Sequence, residues 1–165
     1  MKLMAEIHYP RAPAEVSAMT FDPSFQDLKC AATGAVSHSV DVSEAGDRMV
    51  ITTEREMPTD GFPDFLRSFV GNSLKVTQVD DWGPAGADGS RDGTITVTIG
   101  STPLKLTGKL TLGPVDGGAL GSVDADLKAS VPLIGGRVEK AAAPAVMAAV
   151  RAEEKTAGKW FAGKF

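Results

Sequence analysis

Residues 123–161 read VDADLKASVPLIGGRVEKAAAPAVMAAVRAEEKTAGKWF, and they decide the fold. Val123, Ala125, Leu127, Ala129 and Val131 alternate with polar residues, the period-two pattern of a strand buried on one face. Pro132 and the pair Gly135-Gly136 then break the chain. From Arg137 to Phe161 the residues read as helix, with Pro144 inside it. About 25 helical residues at 1.5 Å each span roughly 38 Å, enough to cross an entire curved sheet. A body of strands ending in one such helix predicts a sheet wrapped around a helix.

Upstream of that stretch, alternation predicts a succession of strands, as in an antiparallel meander. Leu104 to Leu112 and Thr94 to Ile99 carry Leu104, Leu106, Leu110 and Leu112, then Ile95, Val97 and Ile99, on single faces. Ser73 to Trp82 is a further strand, with Val76, Gln78, Asp80 and Trp82 on one face. The connection GPAGADGSRDG at 83–93 is turn-rich and expected to be mobile. In PTDGFPDFLRSFVG (58–71), Phe62, Phe65, Leu66 and Phe69 recur at helical spacing and predict a short amphipathic helix. Arg48 to Met57 and Ala35 to Ser43 form a hairpin. With Ala45-Gly46 as a two-residue turn, Val42 faces Met49, Val40 faces Ile51, His38 faces Thr53 and Val36 faces Arg55. Two short helices precede it, from Pro13 to Met19 and from Asp22 to Ala31. Asp22 before Pro23 is an N-cap followed by proline at the first helical position, and Gly34 ends the second helix. The first strand runs from Lys2 to Tyr9, with Leu3, Ala5, Ile7 and Tyr9 on one face. The fold class is α+β: a curved antiparallel sheet of seven strands around a long C-terminal helix.

The length of 165 residues suits one domain, 1–165. The net charge is −4 with no basic stripe, which argues against a nucleic-acid partner. Cys30 is the single cysteine, so no internal disulfide forms. With two histidines and no cluster at ligand spacing, neither a metal site nor another cofactor is expected. The first residues lead directly into a charged strand without a signal-peptide core. The longest apolar stretch, Ala141 to Val150, is too short to span a bilayer. A cytoplasmic protein without integral membrane association is expected. An exposed edge strand leaves a homodimer open.

The order of strand, two helices, six strands and long helix resembles the START-like helix-grip superfamily, which includes birch pollen allergens, lipid-transfer START domains and polyketide cyclases. The likeness covers essentially the whole chain, together with VPLIGGRVEK (131–140) opening the last helix and the strand that ends in Trp82. More narrowly, the chain is similar to an uncharacterised actinobacterial family within that superfamily, which supplies no catalytic motif. The resemblance implies a cavity between sheet and helix that holds an apolar or amphipathic small molecule such as a lipid or polyketide.

The residues themselves bear on such a cavity in two ways. Ala141, Ala142, Ala145, Ala148, Ala149 and Ala152 give the helix small side chains, which either leave volume beneath it or let it pack closely on the sheet. Pro144 removes one helical hydrogen bond, producing a kink or a locally tolerated cost of about 3 kcal/mol. Ligand contacts are expected from His38, Val40, Ile51, Thr53, Arg55, Asp80, Val97 and Leu106 on the sheet, and from Ala145 and Ala149 on the helix.

Among these, a histidine beside a guanidinium can polarise a carbonyl or hold a carboxylate. The plainer alternative is a hydrogen-bonded core histidine beside an arginine that snorkels to the rim. There is no G-x-S-x-G nucleophile motif, and Cys30 has no visible base. The leading expectation is therefore a non-catalytic binding protein. The alternatives are a cyclase or aromatase using His38 and Arg55, perhaps with Asp80, and a protein-interaction module. Trp160, Phe161 and Phe165 among lysines are expected to dock the last helical turn rather than to meet a membrane.

Overall fold

The alternation along the chain becomes one antiparallel sheet of seven strands in the computed structural model, which describes residues 1–165. β1 (Lys2–Tyr9) leads into α1 (Pro13–Thr20) and α2 (Pro23–Ala32). β2 (Ser37–Ala45) and β3 (Arg48–Pro58) follow, then α3 (Asp64–Val70). β4 (Ser73–Trp82), β5 (Arg91–Ile99), β6 (Leu104–Val115) and β7 (Gly118–Ala129) complete the sheet, and α4 (Gly135–Phe161) ends the chain. The strand order is β1-β7-β6-β5-β4-β3-β2, so the first strand closes onto the last and β1 and β2 are the edges. This is the α+β helix-grip arrangement expected from the sequence.

Local chemistry explains the entry into α2. Asp22 Oδ1 accepts a hydrogen bond from the Ser24 backbone N–H at 2.9 Å, and Pro23 holds the first helical position. α4 continues through Pro144 as one element of 27 residues.

Two strand expectations are corrected. The β2–β3 hairpin turns on Gly46-Asp47, with Ala45 opposite Arg48. Val42 therefore pairs with Ile51, Val40 with Thr53 and His38 with Arg55, two residues from the predicted register. Gly46 has φ +66°, a left-handed conformation that suits glycine at the first turn position. The last strand begins at Gly118 and ends at Ala129, short of Val131. β6 runs on through Gly113 and Pro114, which pair with Leu120 and Ala119.

Gly108 faces inward in the leucine row of β6. A Cβ at that position would meet Ala125 Cα at 2.5 Å, so β6 and β7 approach where the other inward positions of β6 carry leucine. The connection at 83–90 is tied down: Arg91 Nη1 donates to Gly83 O at 2.8 Å, and Gly83 N–H donates to Asp92 O at 2.8 Å.

The apolar interior is divided. One cluster joins Leu66 of α3, Leu104 and Leu106 of β6, Leu127 of β7 and the α4 residues Val138, Ala142 and Ala143. The other joins Ile7 and Tyr9 of β1, Val16 and Met19 of α1, Phe25 of α2 and Ala157 of α4. Trp160 packs edge-on against Phe25, with centroids 5.7 Å apart at 82°, which docks the last turn of α4. α4 is thus seated near its two ends, against β7 and α3 at one and against β1, α1 and α2 at the other.

Candidate functional site

Between the two clusters lies a cavity of about 400 Å³, within the range typical of small-molecule sites. Its walls are mostly apolar. Val76, Ile95, Val97, Ile99 and Leu106 come from the sheet, Ala145, Ala148 and Ala149 from α4, and Phe62 and Leu66 from the α3 segment. Ala148 and Ala149 line the cavity and lie on the stretch of α4 between its two seats.

A group of polar side chains, buried at Tyr9, Lys29, Arg55 and Asp80 and half-buried at Gln78 and Glu153, interrupts the apolar lining. Arg55 Nη2 donates to Gln78 Oε1 at 3.2 Å, and Gln78 Nε2 reaches the two oxygens of Asp80 at 3.1 and 3.0 Å. Register explains this chain: Thr53 of β3 pairs with Gln78 of β4, placing Arg55 and Asp80 on the same inward face. Lys29 of α2 approaches Glu153 of α4, Nζ to Oε2 at 3.5 Å, and Tyr9 OH donates to Glu153 Oε1 at 3.4 Å. All six of these residues line the cavity.

Burial pushes the Asp80 carboxyl up to about 6, opposed by Lys29, Gln78 and Arg55 and reinforced by Glu153. Burial lowers the Arg55 pKa and raises that of Tyr9, the latter further raised by Glu153. Arg55 Nε and Trp82 Nε1 are both buried without a protein hydrogen-bond partner. No group of three or more His, Cys, Asp or Glu side chains is placed to hold a metal ion.

Residues 4–161 match the family described as "Protein of unknown function (DUF2505)". The chain belongs to that family. No curated protein matches its sequence. Among solved structures, this DUF2505 member is similar to TTHA0849 from Thermus thermophilus, at 14% identity and TM-score 0.61, covering 95% of this chain and 97% of the other. It is similar to the ZhuI aromatase/cyclase from Streptomyces sp. R1128 at 11% identity and TM-score 0.56, covering 96% and 94%. A STAR-related lipid transfer protein fragment from Xanthomonas axonopodis gives 11% and 0.56, covering 94% and 85%. At these identities the likeness shows the fold, which is START-like.

The residues singled out from the sequence divide between two places. In the DUF2505 chain, Arg55, Asp80, Val97, Leu106, Ala145 and Ala149 line the cavity. His38, Val40, Ile51 and Thr53 do not. They share the inward face of their strands, but α2 packs against β2 and β3 at that end of the sheet and occupies the space. His38 Nε2 lies 3.0 Å from Asp27 Oδ1 of α2, an ion pair at the protein surface when the imidazole is protonated. Its pairing with Arg55 across the strands brings no imidazole into the cavity.

Sequence reasoning missed Lys29, Glu153 and Tyr9 as polar lining. Lys29 follows Phe25 by four residues and Gln26 by three, on the buried face of α2. Glu153 follows Ala149 by four and Ala145 by eight, on the alanine face of α4. That spacing was the available signal. No helix is long and apolar enough to cross a membrane.

Proposed function

We propose that this protein binds an apolar or amphipathic small molecule, lipid-like or polyketide-like, in the cavity between sheet and C-terminal helix, without catalysing a reaction on it. One observation carries the reading: a cavity of about 400 Å³ whose apolar walls meet a largely buried polar group made by Arg55, Gln78, Asp80, Lys29, Glu153 and Tyr9. Apolar burial drives such an occupant inward, while a few placed polar groups orient it. Lipid transfer and aromatase/cyclase activity, named for two proteins of the same fold, fit the same class of occupant. A cytoplasmic location is part of the proposal.

The test is native mass spectrometry of the protein incubated with a lipid extract of its source cells. A retained, reproducible adduct that disappears in Val97→Phe is the expected result. Bare protein from every extract overturns the reading.

A second reading, an enzyme of the cyclase or aromatase type, draws on Asp80, whose carboxyl titrates at about 6 inside the cavity. A group with that pKa exchanges protons near neutral pH. His38 takes no part in this version, because it contacts α2. Turnover abolished by Asp80→Asn, with binding retained, would establish it over the non-catalytic reading.

A further inference from the structure

The polar lining of the cavity has an excess of donors. Arg55 carries five N–H donors; one is used on Gln78, and Nε has no protein partner although the residue is only 8% exposed. Lys29 has three donors and one contact, with Glu153 at 3.5 Å, and its side chain is only 7% exposed. The acceptors are already engaged: Asp80 by Gln78, Gln78 Oε1 by Arg55, and Glu153 by Tyr9 and Lys29. No cavity-lining side-chain oxygen is buried without a partner.

A buried donor left unpaired loses its hydration without recompense, so the group that enters such a site is one that accepts. We propose that the occupant presents a hydrogen-bond acceptor, a carbonyl or carboxylate oxygen, to Arg55 at the polar lining, with its hydrocarbon part along the alanine face of α4. This rests on the binding function proposed above and adds the chemistry of the ligand's polar end. An ammonium or other donor-only head would leave the free N–H groups of Arg55 unpaired.

The experiment is displacement of the neutral apolar dye Nile red by four probes of similar chain length: laurate, methyl undecyl ketone, dodecylammonium and dodecane. Laurate and the ketone are expected to displace it at about tenfold lower concentration than the other two, the scale set by leaving buried polar groups unpaired. The relative strength of laurate and ketone separates an anionic from a neutral acceptor. Equal displacement by all four, or preference for dodecylammonium, overturns the inference and leaves the binding function standing. Failure of Nile red and of every probe to bind overturns both.

Arg55→Met is expected to erase the preference while dodecane still displaces the dye. Arg55→Lys keeps the buried charge with three donors in place of five, so it serves where Arg55→Met fails to fold. It is expected to weaken laurate and ketone about threefold, in line with one lost hydrogen bond, with dodecane unchanged. An acceptor preference that survives these substitutions intact overturns the proposal.

Discussion

Lys29 Nζ lies 3.5 Å from Glu153 Oε2, an ion pair that joins α2 to α4 at the edge of the cavity. The lysine side chain is 7% exposed and the glutamate 24%, so the charges are screened unequally. Glu153→Gln leaves the lysine buried without its counter-ion. We expect a loss of about 1–3 kcal/mol, below the range for fully buried pairs because Glu153 is partly solvated. Urea unfolding measures it. Adding Lys29→Met should recover part of the loss, and an additive double mutant would refute the coupling.

Asp80 makes stability depend on pH with a definite sign. Its folded pKa, about 6, lies above the unfolded value near 3.8, so the folded state holds the proton more tightly. Stability from this group is full below about pH 4 and is lost as pH rises to about 6, amounting to some 2–3 kcal/mol. The difference between wild type and Asp80→Asn, followed by urea unfolding across that interval, isolates the contribution from the other carboxylates. A flat difference would refute the raised pKa.

Val97 sits in an inward row with Gln78 and Leu106 and lines the cavity. Val97→Phe places added volume in the cavity rather than in packed core. Stability is expected to change by less than about 1 kcal/mol, against the 1–3 kcal/mol of overpacking, while dye and lipid binding are lost. A larger loss on unfolding would mean that the space is filled by the protein's own side chains.

His38 faces Asp27 of α2 instead of the cavity. His38→Ala is expected to cost less than about 1 kcal/mol, as for other exposed ion pairs, and to leave Nile red affinity unchanged. A loss of binding without unfolding would return the imidazole to the site.

The elements most legible in the sequence were those whose own residues settle them. β1 and β4 fall where alternation predicts, at Lys2–Tyr9 and Ser73–Trp82, because each strand carries its inward face in its own sequence. The β2–β3 register was less legible. A turn at Ala45-Gly46 or at Gly46-Asp47 preserves the same inward faces, since the pairings differ by two residues, and alternation cannot choose between them. His38 shows the same limit in three dimensions. Its strand fixes the direction of the side chain, but what covers that face is decided by α2, eleven residues upstream at Asp27. Lys29 and Glu153 were hidden because charge suggests solvent, whereas each occupies a helical face whose neighbours are buried or line the cavity.

The divided core has a consequence for how the chain can change. α4 rests like a beam on two footings, Val138 to Val146 at one end and Val150 to Phe161 at the other. Ala148 and Ala149 lie between the footings. Substitutions at midspan therefore reshape what the interior admits without loosening either support. Selectivity and foldedness are written in different residues of one helix.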